Sequence, residues 1–286
     1  MRELVYAAPS SLEEAFGILA DRDGAVPLAG GTDVLVAWRA GRMPLAVAVD
    51  LGRLPGLRDI VDEGGHVTIG ALVSMSELCA SDVVASQFSA LVSAASQMGC
   101  WQVRNRATLG GNLCNASPSA DTLPPLMLYG ASVLLQSAGG AREVPLDDFL
   151  TGPGRTSLGR GELLVGVRVP RPPADLEVSY LRRQLRRSMD IPLVNVAVGV
   201  RRNAGIVTEA RVVLGAVAPT PMRASAAEAA LVGRPLDETA VAAAAAAAAG
   251  EARPITDVRA SADYRTAMVE VFVRRALTTL LPGEVA

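Results

Sequence analysis

The sequence predicts an α+β chain in three consecutive parts, and three observations carry that prediction. Up to about residue 57, short buried strands alternate with helices. From about Ile60 the pattern changes to short alternating runs broken by glycine and proline, with helical stretches between them. After the proline-rich stretch RVPRPPADLE the chain reads as successive strands and then helices. The expected parts are an α/β unit over 1–57, a second α+β unit over 58–175, and a three-stranded antiparallel sheet with helices over 176–286.

The elements follow in order. Ser10 and Ser11 stand three residues before Glu13 and Glu14, two overlapping capping boxes that start a helix over LEEAFGILA. AVPLAGGTDVLVAWRAG reads as a strand, a double-glycine turn and a helix capped by Thr32 or Asp33, and LAVAVDLGRL returns as a strand. HVTIGAL, ASVLLQS and LLVGVRVP are strands of the second part, with SQFSALVSAASQMG helical between the first two. EVSYLRRQL, LVNVAVGVRR and EARVVLGAV supply the three strands of the last part. SAAEAALVG, LDETAVAAAAAAAAG, ending at Gly250, and DYRTAMVEVFVRRALTTLL supply its helices; an alanine run is a helix former, not a linker.

Composition excludes several function classes. A formal net charge of −2 gives no reason to expect a nucleic acid or an anionic membrane as partner. Cys79, Cys100 and Cys114 show no CxxC spacing, and a cluster takes about four cysteine ligands, so no iron–sulfur cluster is expected in this chain. The single histidine, His66, is expected as an exposed turn residue, which removes triad and zinc-site chemistry. The start lacks a secretory pattern and no apolar run reaches ~20 residues, so the expectation is a cytoplasmic protein with no membrane span.

Two double-glycine turns remain, Ala29-Gly30-Gly31-Thr32-Asp33 and Thr108-Leu109-Gly110-Gly111-Asn112. Glycine lets a backbone approach phosphate oxygens, and amides at such turns aim donors at an anion, so the pair suggests a diphosphate cradle. Arg104 and Arg106 add positive charge beside the second turn, and Asp121 follows a small-residue loop. Neither turn fits GxGxxG with its downstream acid or GxxxxGK[ST], so a different dinucleotide mode is expected.

The segments AGGTD, ATLGGNLCNASPSADTLPPLMLYGA and SADYRTAMVEVFVRRAL carry a family resemblance, with VTIGALVSMSEL, ELLVGVRVP and GAVAPTPMRASAAEAAL as further matching pieces. On them the chain resembles the medium, flavoprotein subunits of molybdenum hydroxylases of the xanthine dehydrogenase and carbon monoxide dehydrogenase type. The resemblance implies a two-subdomain FAD-binding region of the vanillyl-alcohol-oxidase-like (PCMH) type, with FAD between the subdomains, then a CO-dehydrogenase-flavoprotein C-terminal domain. It also implies that the backbones of Ala29–Asp33 and Thr108–Asn112 hold the pyrophosphate, that Asp121 hydrogen-bonds elsewhere along the cofactor, and that Gly70 and Leu164 line the adenine or flavin pocket. Cys114 lies in the same stretch and counts with the site as a small buried thiol, not as a covalent flavin anchor; Cys100 and Trp101 are assigned to packing.

In YLRRQLRRSMDIP the resemblance places Arg182 or Arg183 beside the isoalloxazine, and Ile191 where some relatives carry an aromatic residue against the ring. Arg186 and Arg187 are assigned to a solvated or partner-facing surface. The implied enzyme is an FAD-dependent oxidoreductase subunit with no catalytic side chain of its own and no metal. The implied partners are a large molybdenum-cofactor subunit and a small [2Fe–2S] subunit, in a dimer of heterotrimers that hands electrons to a terminal acceptor. The rival readings are a stand-alone flavin oxidase or dehydrogenase of the same superfamily and a scaffold subunit that has lost FAD.

Overall fold

The computed structural model describes residues 4–186 and 188–281. The first part is a three-stranded parallel sheet of β1 (Val5–Ala7), β2 (Ala25–Leu28) and β3 (Val47–Asp50) in the order β1-β3-β2, with α1 (Leu12–Asp21) and α2 (Val34–Arg39) between the strands. The start of α1 differs in detail from two overlapping capping boxes. Ser11 caps it through Glu14 N–H, while the Glu14 carboxylate reaches back to the Ser10 N–H at 2.8 Å, so one acid serves both serines. Ala15, Phe16 and Leu19, at helical spacing, pack on Val47, Val49 and Leu51 to form the small core of this part.

The second part is built on an antiparallel sheet of β4 (Ile60–Asp62), β5 (His66–Gly70), β6 (Ser132–Ser137), β7 (Gly140–Pro145) and β10 (Leu163–Pro170) in the order β4-β5-β10-β6-β7. Between β5 and β6 the chain runs through α3 (Met75–Ala80), α4 (Asp82–Gln87), α5 (Ser89–Gln97), α6 (Trp101–Arg104), α7 (Leu109–Asn115) and α8 (Leu123–Leu128). The short α9 (Leu146–Phe149) and a β8 (Leu150–Gly152)–β9 (Arg155–Thr156) ribbon lead back to β10. His66 is not a turn residue: it opens β5 opposite Pro170, half-buried and 2.6 Å from Glu63.

The last part carries β11 (Glu177–Arg183), β12 (Val194–Asn203) and β13 (Ile206–Gly215) as expected, and a fourth strand beyond the three expected, β14 (Met222–Arg223). At two residues β14 is too short to show an alternating pattern; its pairing to Val213 and Leu214 defines it. The chain closes with α10 (Ser225–Leu231), α11 (Glu238–Glu251) and α12 (Ala262–Thr278). Val194, Val196, Val198 and Val200 of β12 point into the core shared with these helices, whereas Ala197 belongs to the core of the second part. The sheet is therefore covered on both faces, which is why β12 reads as a continuous apolar run.

The alanines of α11 that are buried, Ala240, Ala244, Ala245 and Ala248, give the helix a small-residue face toward α10 and α12. Among the described residues no helix is long and apolar enough to cross a membrane.

Candidate functional site

The first double-glycine turn joins β2 to α2 and presses against the backbone before the second. A Cβ on Gly30 would lie 1.9 Å from the Arg106 carbonyl oxygen and 2.7 Å from its carbon, so only glycine permits this approach. Gly31 has φ +75°, in the left-handed region. Asp33 occupies the N-cap position of α2 but makes no capping bond with its side chain, unlike the capping expected of it or Thr32. As a result the N–H groups of Gly30, Gly31, Thr32 and Asp33 donate no hydrogen bond among the described residues. Four successive free amides around a left-handed residue form a concavity suited to an anion.

The second turn is organised differently. Thr108 caps α7 through Gly111 N–H at 3.1 Å, Leu109 N–H goes to Val73 O at 2.9 Å, Gly110 N–H to Ala71 O at 2.9 Å, and Asn112 N–H to Thr108 O at 3.0 Å. These four amides are all bonded inside the protein, which distinguishes this turn from the first. What the second turn supplies is closeness. A Cβ on Gly110 would meet Ala71 atoms at 2.7–3.0 Å, and one on Gly111 would stand 4.0 Å from the Ala29 Cβ, so the two turns face each other. Asn112 accepts from Thr122 Oγ1 at 2.6 Å and ties α7 to α8. Burial pushes the Cys114 thiol up to about 12, which keeps it neutral and unreactive.

Gly70 ends β5 where a Cβ would strike Leu57 O at 2.4 Å, so it lets the 57–59 turn close on the sheet. Leu164 is buried in the main core at the bulge of β10. The structure places these two in packing beside the turns.

Asp121, expected to reach the cofactor, accepts from the last part of the chain through both oxygens. Tyr180 Oη donates to Oδ1 at 2.7 Å and Arg182 Nη1 to Oδ2 at 2.7 Å, with all three residues buried. Tyr180 and Arg182 are two apart on β11 and so share a face, a signal the sequence contained. Burial pushes the Asp121 carboxyl up, against the pull of the Arg182 guanidinium and the Tyr180 hydroxyl. Burial, followed by the Asp121 charge, raises Tyr180 well above an ordinary phenol, so it stays a donor. Arg182 Nη2 also donates to Gln184 Oε1. Asn195 supports the loop by donating to Ala120 O at 3.3 Å.

Arg182 and Gln184 form one wall of a cavity of about 360 Å³ whose other wall runs through Gly99, Cys100, Trp101 and Arg104. The loop after β11 is pinned over it, since Met189 N–H and Ser188 Oγ both donate to Gly99 O, at 3.1 and 3.2 Å. Asp190 shapes that loop by accepting from the N–H groups of Leu185, Arg186 and Ile191. Arg183 is turned away, donating to Tyr264 Oη at 3.0 Å, and Ile191 lies exposed on the loop, outside the cavity wall. Arg186 is exposed and pairs with Asp190; Arg187 lies outside the described residues. Trp101, assigned from sequence to packing, is 72% exposed beside the cavity.

The cavity and the amide nest are joined by continuous structure. Arg104 lines the first, the Arg106 backbone touches Gly30 of the second, and Asn112 Nδ2 lies 3.9 Å from Met98 Sδ between them. Among the described residues no group of three or more His, Cys, Asp or Glu side chains is placed to hold a metal ion. A run of unbonded amides and, on the far side of α6, a cavity with two arginines in its lining are the features a dinucleotide that carries a ring would need.

Comparison with known proteins agrees. Residues 2–172 match the family model of the FAD binding domain in molybdopterin dehydrogenase, and residues 179–280 that of the CO dehydrogenase flavoprotein C-terminal domain. The chain is 32% identical over 275 residues to the xanthine dehydrogenase FAD-binding subunit of Escherichia coli O157:H7, covering 96% of this chain and 94% of the other. It is 34% identical over 273 residues to the carbon monoxide dehydrogenase medium chain of Hydrogenophaga pseudoflava, covering 95% of each. Among solved structures it is similar to carbon monoxide dehydrogenase from Hydrogenophaga pseudoflava, with a TM-score of 0.93 at 36% identity over 96% of both chains. It is also similar to quinoline 2-oxidoreductase from Pseudomonas putida 86, with a TM-score of 0.93 at 31% identity over 97% of this chain and 96% of the other.

Proposed function

The chain belongs to the family of FAD-binding medium subunits of molybdenum hydroxylases, and from that membership we propose how its residues serve an electron relay. It is an oxidoreductase subunit that takes electrons from the [2Fe–2S] clusters of a small subunit and passes them to a terminal acceptor, while a large subunit holds the molybdenum cofactor. When bound, FAD supplies the conversion between one-electron and two-electron transfer. The single observation that carries the site assignment is the run of four amides from Gly30 to Asp33 that donate no hydrogen bond among the described residues, in a turn whose Ala29 stands close to Gly111.

In this reading the nest holds the diphosphate with neutral donors, and Gly30 and Gly111 keep the gap free of side chains. The cavity between Trp101 and Arg182 receives the isoalloxazine. Tyr180, Asp121 and Arg182 hold the C-terminal sheet in register with the cavity wall. The charged side chains lining the cavity are Arg104 and Arg182, with no carboxylate or histidine among the described lining residues. That wall binds and orients a cofactor but offers no acid–base pair for an organic substrate, which disfavours a self-sufficient oxidase. The proposed parts are 1–57, 58–175 and 176–286, and the proposed assembly is a cytoplasmic dimer of heterotrimers.

The test is co-expression with the large and small subunits, followed by an absorbance spectrum and identification of the nucleotide released on denaturation. About one FAD per chain is expected. A complex that assembles without FAD, and takes none up on reconstitution, overturns the proposal.

A further inference from the structure

We infer that Arg104, rather than Arg182 or Arg183, is the cation that sets the charge felt by the ring in the cavity, and that Asp121 acts on the ring only by neutralising Arg182. The inference rests on the assignment of the isoalloxazine to that cavity. Both arginines line it, but they differ in what they face elsewhere. Arg182 is locked to the Asp121 carboxylate at 2.7 Å with side chains 1% and 5% exposed, so to the cavity this pair is a dipole and not a net charge. Arg183 is turned to Tyr264 and lies outside the wall.

Arg104 has no carboxylate within salt-bridge distance among the described residues. Its Nη1 donates to the Met98 carbonyl at 2.9 Å, and its Cζ stands 5.0 Å from the centre of the Trp101 ring. A carbonyl and an aromatic face fix a guanidinium without cancelling its charge. Among the described residues the wall therefore carries one net positive charge, placed on α6 two residues before the backbone that meets the amide nest. A positive charge beside a flavin favours the reduced form, which carries more negative charge than the oxidised one.

The experiment is a spectroscopic redox titration of the FAD-loaded complex, with FAD per chain and thermal midpoint measured on each variant. Arg104→Gln is expected to keep FAD and to shift the reduced-to-oxidised ratio at least tenfold toward oxidised. That is a fall of about 30 mV for a two-electron couple. Arg104→Lys, which keeps the charge, should stay within threefold of the parent. Arg183→Gln removes a positive charge outside the wall and should also stay within threefold.

An unchanged potential in Arg104→Gln that retains FAD overturns the inference. So does loss of FAD from a folded Arg104→Gln, because the residue would then be an anchor for the cofactor and not a source of tuning. If Arg104→Gln does not fold, Arg104→Met, which keeps the apolar stem beside Trp101, takes its place with the same outcomes. A parent complex without FAD fails the proposed function itself and is recognised before any variant is titrated.

Discussion

A single methyl group at residue 30 should empty the proposed flavin site. In Gly30→Ala the new Cβ would sit 1.9 Å from the Arg106 carbonyl oxygen and 3.1 Å from the Ala107 Cα. Carbon and carbonyl oxygen rest no closer than about 3.3 Å, so the turn and the Arg106 backbone must part by about 1.4 Å. Both partners are main chain, so no rotamer change can relieve the contact, and overpacking of this kind costs about 1–3 kcal/mol. The same movement re-aims the amides of Gly31, Thr32 and Asp33.

Hydrogen bonds to a charged group are worth about 1.5–3 kcal/mol each, and a tenfold change in affinity is about 1.4 kcal/mol. Spoiling two of these bonds should weaken FAD binding by at least about 100-fold. FAD per chain after dialysis at fixed free flavin, with the rise in thermal midpoint on adding FAD, measures it; ligand stabilisation grows as RT ln(1 + [L]/Kd). A Gly30→Ala protein that holds FAD within threefold of the parent and melts at the same temperature refutes the reasoning.

Other expectations follow from the same contacts. Gly17 lies within α1, and an added methyl there would meet nothing within 4 Å, so Gly17→Ala should stabilise the chain by about 0.5–1 kcal/mol in urea unfolding. Asp121→Ala leaves the Arg182 charge buried without its partner and should cost about 3–5 kcal/mol, with Asp121→Ala/Arg182→Met recovering part of it. At Asp257, burial opposes ionisation, but the Arg259 and Ala260 amides and the Arg265 guanidinium outweigh it and hold the carboxyl down at about 2. A depressed carboxyl contributes its stability above the unfolded value near 3.9 and loses it as the pH falls toward 2, up to about 2 kcal/mol here. Unfolding of the parent and of Asp257→Asn should therefore differ at pH 6 and converge as the pH falls from 4 to 2; a gap independent of pH counts against the assignment.

Much of this architecture is visible in residue pattern because local chemistry determines it. The double glycines, the apolar alternation of β6 and β10, and the alanine helix each state their own conformation within a few residues. The two glycine turns look alike in sequence, yet one has its amides free and the other has them bonded to Ala71, Val73 and Thr108. That difference depends on a strand end almost forty residues upstream of the second turn. The role of Asp121 was hidden for the same reason: its partners are 59 and 61 residues away and become neighbours only when β11 docks. Strands as short as β9 and β14 carry no pattern of their own.

The two walls of the cavity have a consequence for how the chain is made. One wall ends at Arg104, and the other, with Arg182, Gln184 and Ser188, is synthesised some eighty residues later. At 5–20 residues per second the ribosome leaves the first wall without the second for roughly 4–16 s. Through that interval Asp121 has neither its tyrosine nor its arginine, and the main core lacks the Tyr180, Ala197 and Val213 side chains that finish it. If the cavity is the flavin site, loading is expected only after β11 has docked, and a chain truncated before β11 should be insoluble or held by chaperones, even though it contains both glycine turns.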